Sequence, residues 1–246
     1  MGRLVILSGP SCVGKGPLHI ALKKFYPALA EKLSTLVLYN SRAPRPAERD
    51  GVDYHFRPRA EIEQLRKGEG YLVAEVRGDL QALELNVLDH MLAAGDVFFE
   101  GNPFIVREMR RRSLLGKGRS LSVFLSPLSR EEIVYLKEPE RRVCLPDFLT
   151  DVMRRKLLRR TRRQKQVLSL KDLENIEKRA ASAYAELKEA CFYDHVIANH
   201  DGEDSENWDA FYYPVGDARK ALLAFAELLA GRVPAGMEKW EEDLLP

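Results

Sequence analysis

Residues 9 to 15 of this 246-residue chain read Gly-Pro-Ser-Cys-Val-Gly-Lys. Glycines at both ends let the main chain curl until its N–H groups face one anion, and Lys15 adds an ammonium for the outermost charge. This is phosphate chemistry: a P-loop. Its backbone would cradle a nucleotide triphosphate through Gly9, Pro10, Ser11, Cys12, Val13, Gly14, Lys15 and Gly16. One position departs from the pattern. After Gly-Lys a P-loop normally carries Ser or Thr, whose hydroxyl ligates magnesium, and here Gly16 and Pro17 follow. The anion cradle is intact, and the usual metal ligand is missing.

The elements that must position this loop are legible around it. Leu4 to Leu7 form an apolar run suited to a buried strand. Beyond the loop, Leu18, Ile20, Ala21 and Leu22 recur at helical spacing, in a helix expected to end near Tyr26-Pro27. A strand is expected at Leu36–Tyr39, followed by an extended loop from Asn40 to Phe56 with two prolines, a glycine and six charged residues. A short helix is expected at 58–67, a strand at Tyr71–Val76, an amphipathic helix at Gln81–Ala94 stopped by Gly95, and strands at Val97–Glu100 and Leu121–Leu125. A helix from about Ser129, a basic segment at 147–166, a helix at Glu174–Leu187 and a strand at Tyr193–Asn199 complete the alternation. Apolar strands alternating with helices predict an α/β fold with a parallel sheet.

Within the 40–56 loop, Arg42, Arg45 and Tyr54 are groups that grip a phosphate, because guanidinium forks match its oxygens and a phenol adds a hydrogen bond. Alone, such a loop is more often a solvated surface. In company with the P-loop, Ser-Arg-x-Pro-Arg-x-x-Glu-x-x-Gly-x-Asp-Tyr-x-Phe, residues 41 to 56, resembles the monophosphate-binding segment of guanylate kinases. The resemblance extends over about residues 3 to 200 and is strongest at the P-loop, this loop and residues 174–187. It implies a three-layer P-loop kinase fold: a parallel five-stranded core sheet, a small monophosphate-binding subdomain and an arginine-rich lid. The whole chain, 1–246, would form one such domain, with core segments 1–36, 97–146 and 167–230, the subdomain at 37–96, the lid at 147–166 and a loosely held tail at 231–246.

The same resemblance implies phosphoryl transfer from ATP to a nucleoside monophosphate, foremost GMP, with Mg2+. Arg42, Arg45 and Tyr54 would hold the GMP phosphate, and Glu48 would orient an arginine. Lys15, Arg179 and lid arginines such as Arg155 and Arg159 would neutralise the moving phosphoryl group. Asn199 would lie beside adenine, and Glu75 and Glu100 are candidates for contacts to guanine. The segment Glu75–Leu83 lacks the tyrosine and hydroxyl with which the family reads that base, and another base-reading serine falls on Leu38. Two other readings share the pattern: a ribose 1,5-bisphosphate phosphokinase, and a non-catalytic module that binds phosphorylated ligands through the same arginines.

Composition bounds the remaining classes. With 45% hydrophobic and 31% charged residues, the chain can bury a proper core. No apolar run approaches the roughly 20 residues a membrane span requires, and the start of the chain leads straight into a strand, which leaves no room for a signal peptide. The basic run Arg154, Arg155, Lys156, Arg159, Arg160, Arg162, Arg163 and Lys165 invites a nucleic-acid reading. The absence of interleaved aromatics and a net charge of only +2 argue against it. Cys12, Cys144 and Cys191 have no metal-ligand spacing and read as free thiols of a reducing cytoplasm. Cys12, inside the loop, reads as an alkylatable thiol rather than a catalytic one. The acidic, aromatic-containing stretch from His200 to Asp217 fits none of these patterns, and Ala218–Ala230 predicts an amphipathic helix.

Overall fold

A computed structural model describes residues 2–45, 48–116, 118–165 and 167–245. Pro46 and Ala47 of the arginine loop, Gln166 at the end of the expected lid and Pro246 of the tail lie outside the described residues. In chain order the elements are β1 (Leu4–Ser8), α1 (Lys15–Phe25), α2 (Pro27–Ala30), β2 (Leu33–Thr35), β3 (Tyr39–Asn40), β4 (His55–Phe56), α3 (Arg59–Leu65), β5 (Tyr71–Val76), β6 (Asp79–Glu84) and α4 (Leu85–Ala94). They continue with β7 (Asp96–Gly101), α5 (Pro103–Arg111), β8 (Ser120–Ser126), α6 (Arg130–Leu136), α7 (Leu145–Gln164), α8 (Leu170–Ala181), α9 (Ala183–Leu187), β9 (His195–Ala198) and α10 (Gly216–Leu229).

The core sheet has five strands in the order β2-β7-β1-β8-β9, and the β2–β7 and β8–β9 pairs are parallel. Parallel sheets are covered on both faces, so their strands read as continuous apolar runs rather than alternating ones. Leu4, Val5, Ile6 and Leu7 are each 2% exposed or less, which makes β1 such a strand. Burial of each of these side chains contributes about 1.5–3 kcal/mol. The chain divides into two compact units, one of Met1–Ile6 with Lys32–Leu121 and the other of Leu7–Glu31 with Ser122–Pro246.

The first unit carries a second sheet in the order β4-β3-β6-β5. Here the expected helix at Gln81–Ala94 is corrected: residues 79–84 form β6, and α4 begins only at Leu85. Gln-Ala-Leu-Glu has good helix propensity, but Arg77 and Gly78 both take positive φ (57° and 87°) and close a two-residue hairpin. The hairpin pairs β6 along all of β5 and sets Leu80 and Ala82 against Ile62 of α3. Tertiary pairing therefore overrides local propensity. The expected strand at Leu36–Tyr39 is also corrected. Leu36 and Leu38 are buried, but they lie in an irregular link between β2 and β3. At its far end the extended 40–56 loop closes into β4, which pairs with β3.

In the second unit, α7 buries Leu145, Leu149, Met153 and Leu157, a stripe of every fourth residue, against α8 and α9. The expected helix at 174–187 is broken at Ser182 into α8 and α9, and the Ser182 hydroxyl bonds Glu186 one turn on. The tail is not loose. Trp240, Leu244 and Leu245 are buried, Glu238 accepts a hydrogen bond from the Val196 main chain (2.8 Å), and Arg130 grips Glu241. Its apolar residues are too sparse to show a period, yet each fills a place in this unit. Trp240→Ala should therefore lower stability by about 3–5 kcal/mol, the usual cost of emptying a buried tryptophan site. A shifted urea midpoint with an unchanged slope would register that loss, and an unmoved midpoint would contradict the tail's structural role.

Candidate active site

The P-loop lies in the second unit, where β1 delivers the chain into Gly9 and α1 leaves at Lys15. Gly9 has φ +143°, and a Cβ there would lie 2.3 Å from the Leu125 carbonyl, so only glycine fits. Gly14 has φ +101°, and a Cβ would lie 2.6 Å from the Asn199 amide nitrogen. Cys12 also takes the left-handed region. The loop is curled as an anion cradle requires, at the N-terminus of an 11-residue helix whose dipole favours negative charge.

The candidate side chains of Lys15, Arg179 and Asn199 all engage the loop. The Lys15 ammonium donates to the carbonyls of Gly9 (2.9 Å) and Pro10 (2.7 Å), which folds it back over the cradle. Arg179, from α8, donates from Nε to the Ser11 hydroxyl (3.0 Å). Asn199, fully buried after β9, donates both amide hydrogens, to the carbonyls of Val13 (2.7 Å) and Asp201 (2.8 Å). It thereby fastens the loop to the last strand. The two lid candidates are placed differently. Arg159 is 3.4 Å from Asp204. Arg155 donates to the Asp151 carbonyl of its own helix and lines a surface recess with Asp151 and Arg154. Cys12 corrects an expectation: it is 1% exposed. Burial, reinforced by the charge of Glu203, pushes its thiol pKa up, so it is no alkylatable thiolate.

The donor set does not fit a magnesium ion held directly by side chains. Gly16 offers none, and the carboxylates beside the loop, Glu203 and Asp204, are engaged by Arg160, Lys156 and Arg159. Among the described residues no cluster of three or more His, Cys, Asp or Glu side chains could hold a metal.

The acceptor candidates lie in the first unit. Arg42 makes a fork to Glu48, Nη1 to Oε2 at 2.6 Å and Nη2 to Oε1 at 2.7 Å. The Arg45 main-chain N–H adds a third bond to Glu48 (2.7 Å). Burial raises the Glu48 pKa, but these hydrogen bonds and the arginine charges outweigh it and hold the carboxyl below its ordinary range. The Arg42 guanidinium stacks 5.2 Å from the Tyr54 ring centroid and 5.5 Å from that of Phe56. Burial raises the Tyr54 pKa, with Arg42 and Arg45 opposing and Glu48 and Glu100 assisting, so the phenol keeps its proton as a donor.

Arg42, Arg45, Glu48, Tyr54 and Glu100 thus form one electrostatic cluster. Glu75 stands outside it, exposed on β5 and 3.9 Å from Arg59. Asp79, which acts on the Arg42 charge, was missed by sequence reasoning. The signal available was its place one residue after the Arg77-Gly78 turn.

Sequence reasoning also left the 200–217 stretch unplaced, whereas it packs against the P-loop and neighbouring helices. His200 bridges Asp217 (2.6 Å) and Glu132 (2.9 Å), tying the end of β9 to α10 and α6. Burial lowers the His200 pKa, but hydrogen bonds and charge from the two carboxylates overcome it and raise it above the ordinary value. A raised histidine pKa gives stability that is fully present below the unfolded value of about 6.5. That stability is lost as pH rises through the folded pKa. The melting-temperature advantage of wild type over His200→Gln should shrink between about pH 6 and 8. A constant difference across that range would contradict the charged bridge.

A parallel core sheet with a P-loop after its first strand defines a P-loop kinase fold. Across solved structures, the crystal structure of guanylate kinase from Anaplasma phagocytophilum matches with a TM-score of 0.54 and 19% identity, covering 95% of this chain and 88% of that one. The guanylate kinase family model matches residues 1–93. A guanylate kinase of Synechococcus sp. (strain JA-3-3Ab) is 31% identical over 216 residues, covering 87% of this chain and 83% of its own length. One from Vibrio cholerae serotype O1 is 32% identical over 202 residues, covering 81% of each. The chain belongs to the guanylate kinase family, a family of ATP-dependent nucleoside monophosphate kinases. Among the described residues, no helix is long and apolar enough to cross a membrane.

Proposed function

We propose that this chain transfers the γ-phosphoryl group of ATP to GMP, yielding ADP and GDP. The observation that carries the reading is the Arg42–Glu48 fork with Arg45 and Tyr54 beside it, in a family member that keeps the curled P-loop and Lys15. A GMP phosphate oxygen attacks the γ-phosphorus, the bond to the β-phosphate oxygen breaks, and the electron pair leaves with ADP. No covalent enzyme intermediate is needed, so catalysis is positioning and charge stabilisation.

In this reading Arg42, Arg45 and Tyr54 hold the GMP phosphate. Glu48 spreads the Arg42 guanidinium into the required plane. Lys15, the loop amides, Arg179, Arg155 and Arg159 stabilise charge on the moving group, and adenine lies near Asn199. Glu100, coupled to Tyr54, is the stronger candidate for guanine, whereas Glu75 would have to reach the base from outside the cluster. We extend the reading to one domain with a monophosphate-binding subdomain at 37–96 and a lid at 147–166, and to a reducing cytoplasm, which suits three free cysteines.

Leu38, at the position where the resemblance implies a base-reading serine, is buried and carries no polar side-chain atom. The test therefore includes acceptors without guanine. Isothermal titration with GMP, AMP and ribose 1,5-bisphosphate should give the tightest binding with GMP. A preference for ribose 1,5-bisphosphate would replace the proposed acceptor.

A further inference from the structure

The 200–206 segment lies against the P-loop. A Cβ on Gly202 would be 2.1 Å from the Cys12 carbonyl oxygen, so the main chain at 202 packs directly against the P-loop. Trp208 holds it there by donating from Nε1 to the carbonyls of Asp201 (2.7 Å) and Gly202 (3.1 Å). Ser205 closes the turn through its N–H to the Gly202 carbonyl and its hydroxyl to Asp201. This preformed turn presents two carboxylates. Glu203 is 3.6 Å from Arg160, and Lys15, Arg179 and the Cys12 thiol also act on it. Asp204, 5% exposed, is 3.4 Å from both Lys156 and Arg159. Glu206 reaches Arg163 (3.1 Å). Residues 156, 159, 160 and 163 form one stripe of α7, and its four cations are engaged by the three carboxylates at 203, 204 and 206.

Three cations converging on Glu203 make a field that attracts anions and repels metal ions, which argues against Glu203 as a replacement for the missing magnesium ligand. The match is also imperfect: Glu203 Oε2 is buried and accepts no hydrogen bond. A phosphate, with more acceptor oxygens and more charge, would satisfy these donors better.

We propose that Glu203 and Asp204 are the chain's own stand-in for nucleotide phosphates, filling the anion site of the P-loop and lid, so that ATP must displace the 202–206 segment. The inference rests on the P-loop being the ATP phosphate cradle. It adds a built-in competitor that sets nucleotide affinity and holds the lid cations in check when nucleotide is scarce.

Inorganic tripolyphosphate, titrated calorimetrically into the full chain, tests this without any acceptor. Glu203→Gln should tighten its binding about tenfold relative to wild type, because a neutral amide no longer competes for the cations. Adding Lys15→Ala to Glu203→Gln should remove most of that binding. Unchanged or weaker binding by Glu203→Gln, with Lys15 still required, would overturn the inference and leave the P-loop reading standing. Binding indifferent to Lys15 would overturn both. Hydrogen exchange on the wild-type chain gives a measurement that depends on no variant. Amides at 202–206 should exchange faster when tripolyphosphate is bound, and equal or slower exchange would show the acidic turn to be permanent structure.

Discussion

Lys15→Ala should reduce kcat/KM for ATP-dependent phosphorylation of GMP about 10³-fold, the scale seen when one preorganised charge donor is removed from a transition state. The Lys15 ammonium donates to the carbonyls of Gly9 and Pro10 over the cradle. Phosphate oxygens would replace these neutral acceptors as charge develops on them. Its loss should leave the fold intact, because the curl of the loop is set by Gly9, Gly14 and the Asn199 brace. Steady-state kinetics alongside a thermal melt would separate the two effects. A large loss of kcat/KM with an unchanged melt is the expected result. Activity within tenfold of wild type would remove Lys15 from the chemistry.

Arg42→Ala should raise KM for GMP about 10²-fold, with a smaller effect on kcat. The substitution removes the proposed phosphate ligand and also strips Glu48 of both bonds from Arg42, leaving that from the Arg45 main chain. A half-buried carboxylate left in that state repels the incoming phosphate, and truncating one partner of such a pair commonly costs 2–5 kcal/mol. Arg42→Lys should recover little, since an ammonium cannot make the two-pronged contact with Glu48 or stack on Tyr54 and Phe56. Glu48→Gln should fall between the two, with Arg42 present but no longer fixed. The contradicting result is an Arg42→Ala enzyme whose KM for GMP stays near wild type.

The parts of this site that were legible in the sequence are those encoded by contiguous residues. Gly9 and Gly14 are required by local backbone geometry, and the Arg42–Glu48 fork joins residues six apart in one loop. Both can be read from spacing. The acidic partner of the basic helix α7 could not be read that way. Glu203 and Asp204 lie in an acidic stretch that alone looks like a solvated turn, and their meeting with Arg160, Lys156 and Arg159 spans more than forty residues. Only the path of the chain past β9 brings them together.

The misplaced elements have the same origin. Residues 81–84 favour a helix locally but are claimed by pairing with β5, and Trp240 belongs to the core through contacts that no periodicity announces. Cys12 fits this account as well. Its place in a glycine-rich loop suggests access, but the turn at 202–203 covers it.

The most direct test of the central claim is to follow the label from ATP radiolabelled at its γ-phosphate in the presence of GMP and the purified chain. The account predicts labelled GDP formed in proportion to ADP, greatly diminished by Lys15→Ala and restored in the Arg42→Ala enzyme by raising GMP. Tight GMP binding with no label reaching GDP would contradict it, and would mean that the chain keeps the acceptor clamp as a binding module and does not perform the transfer.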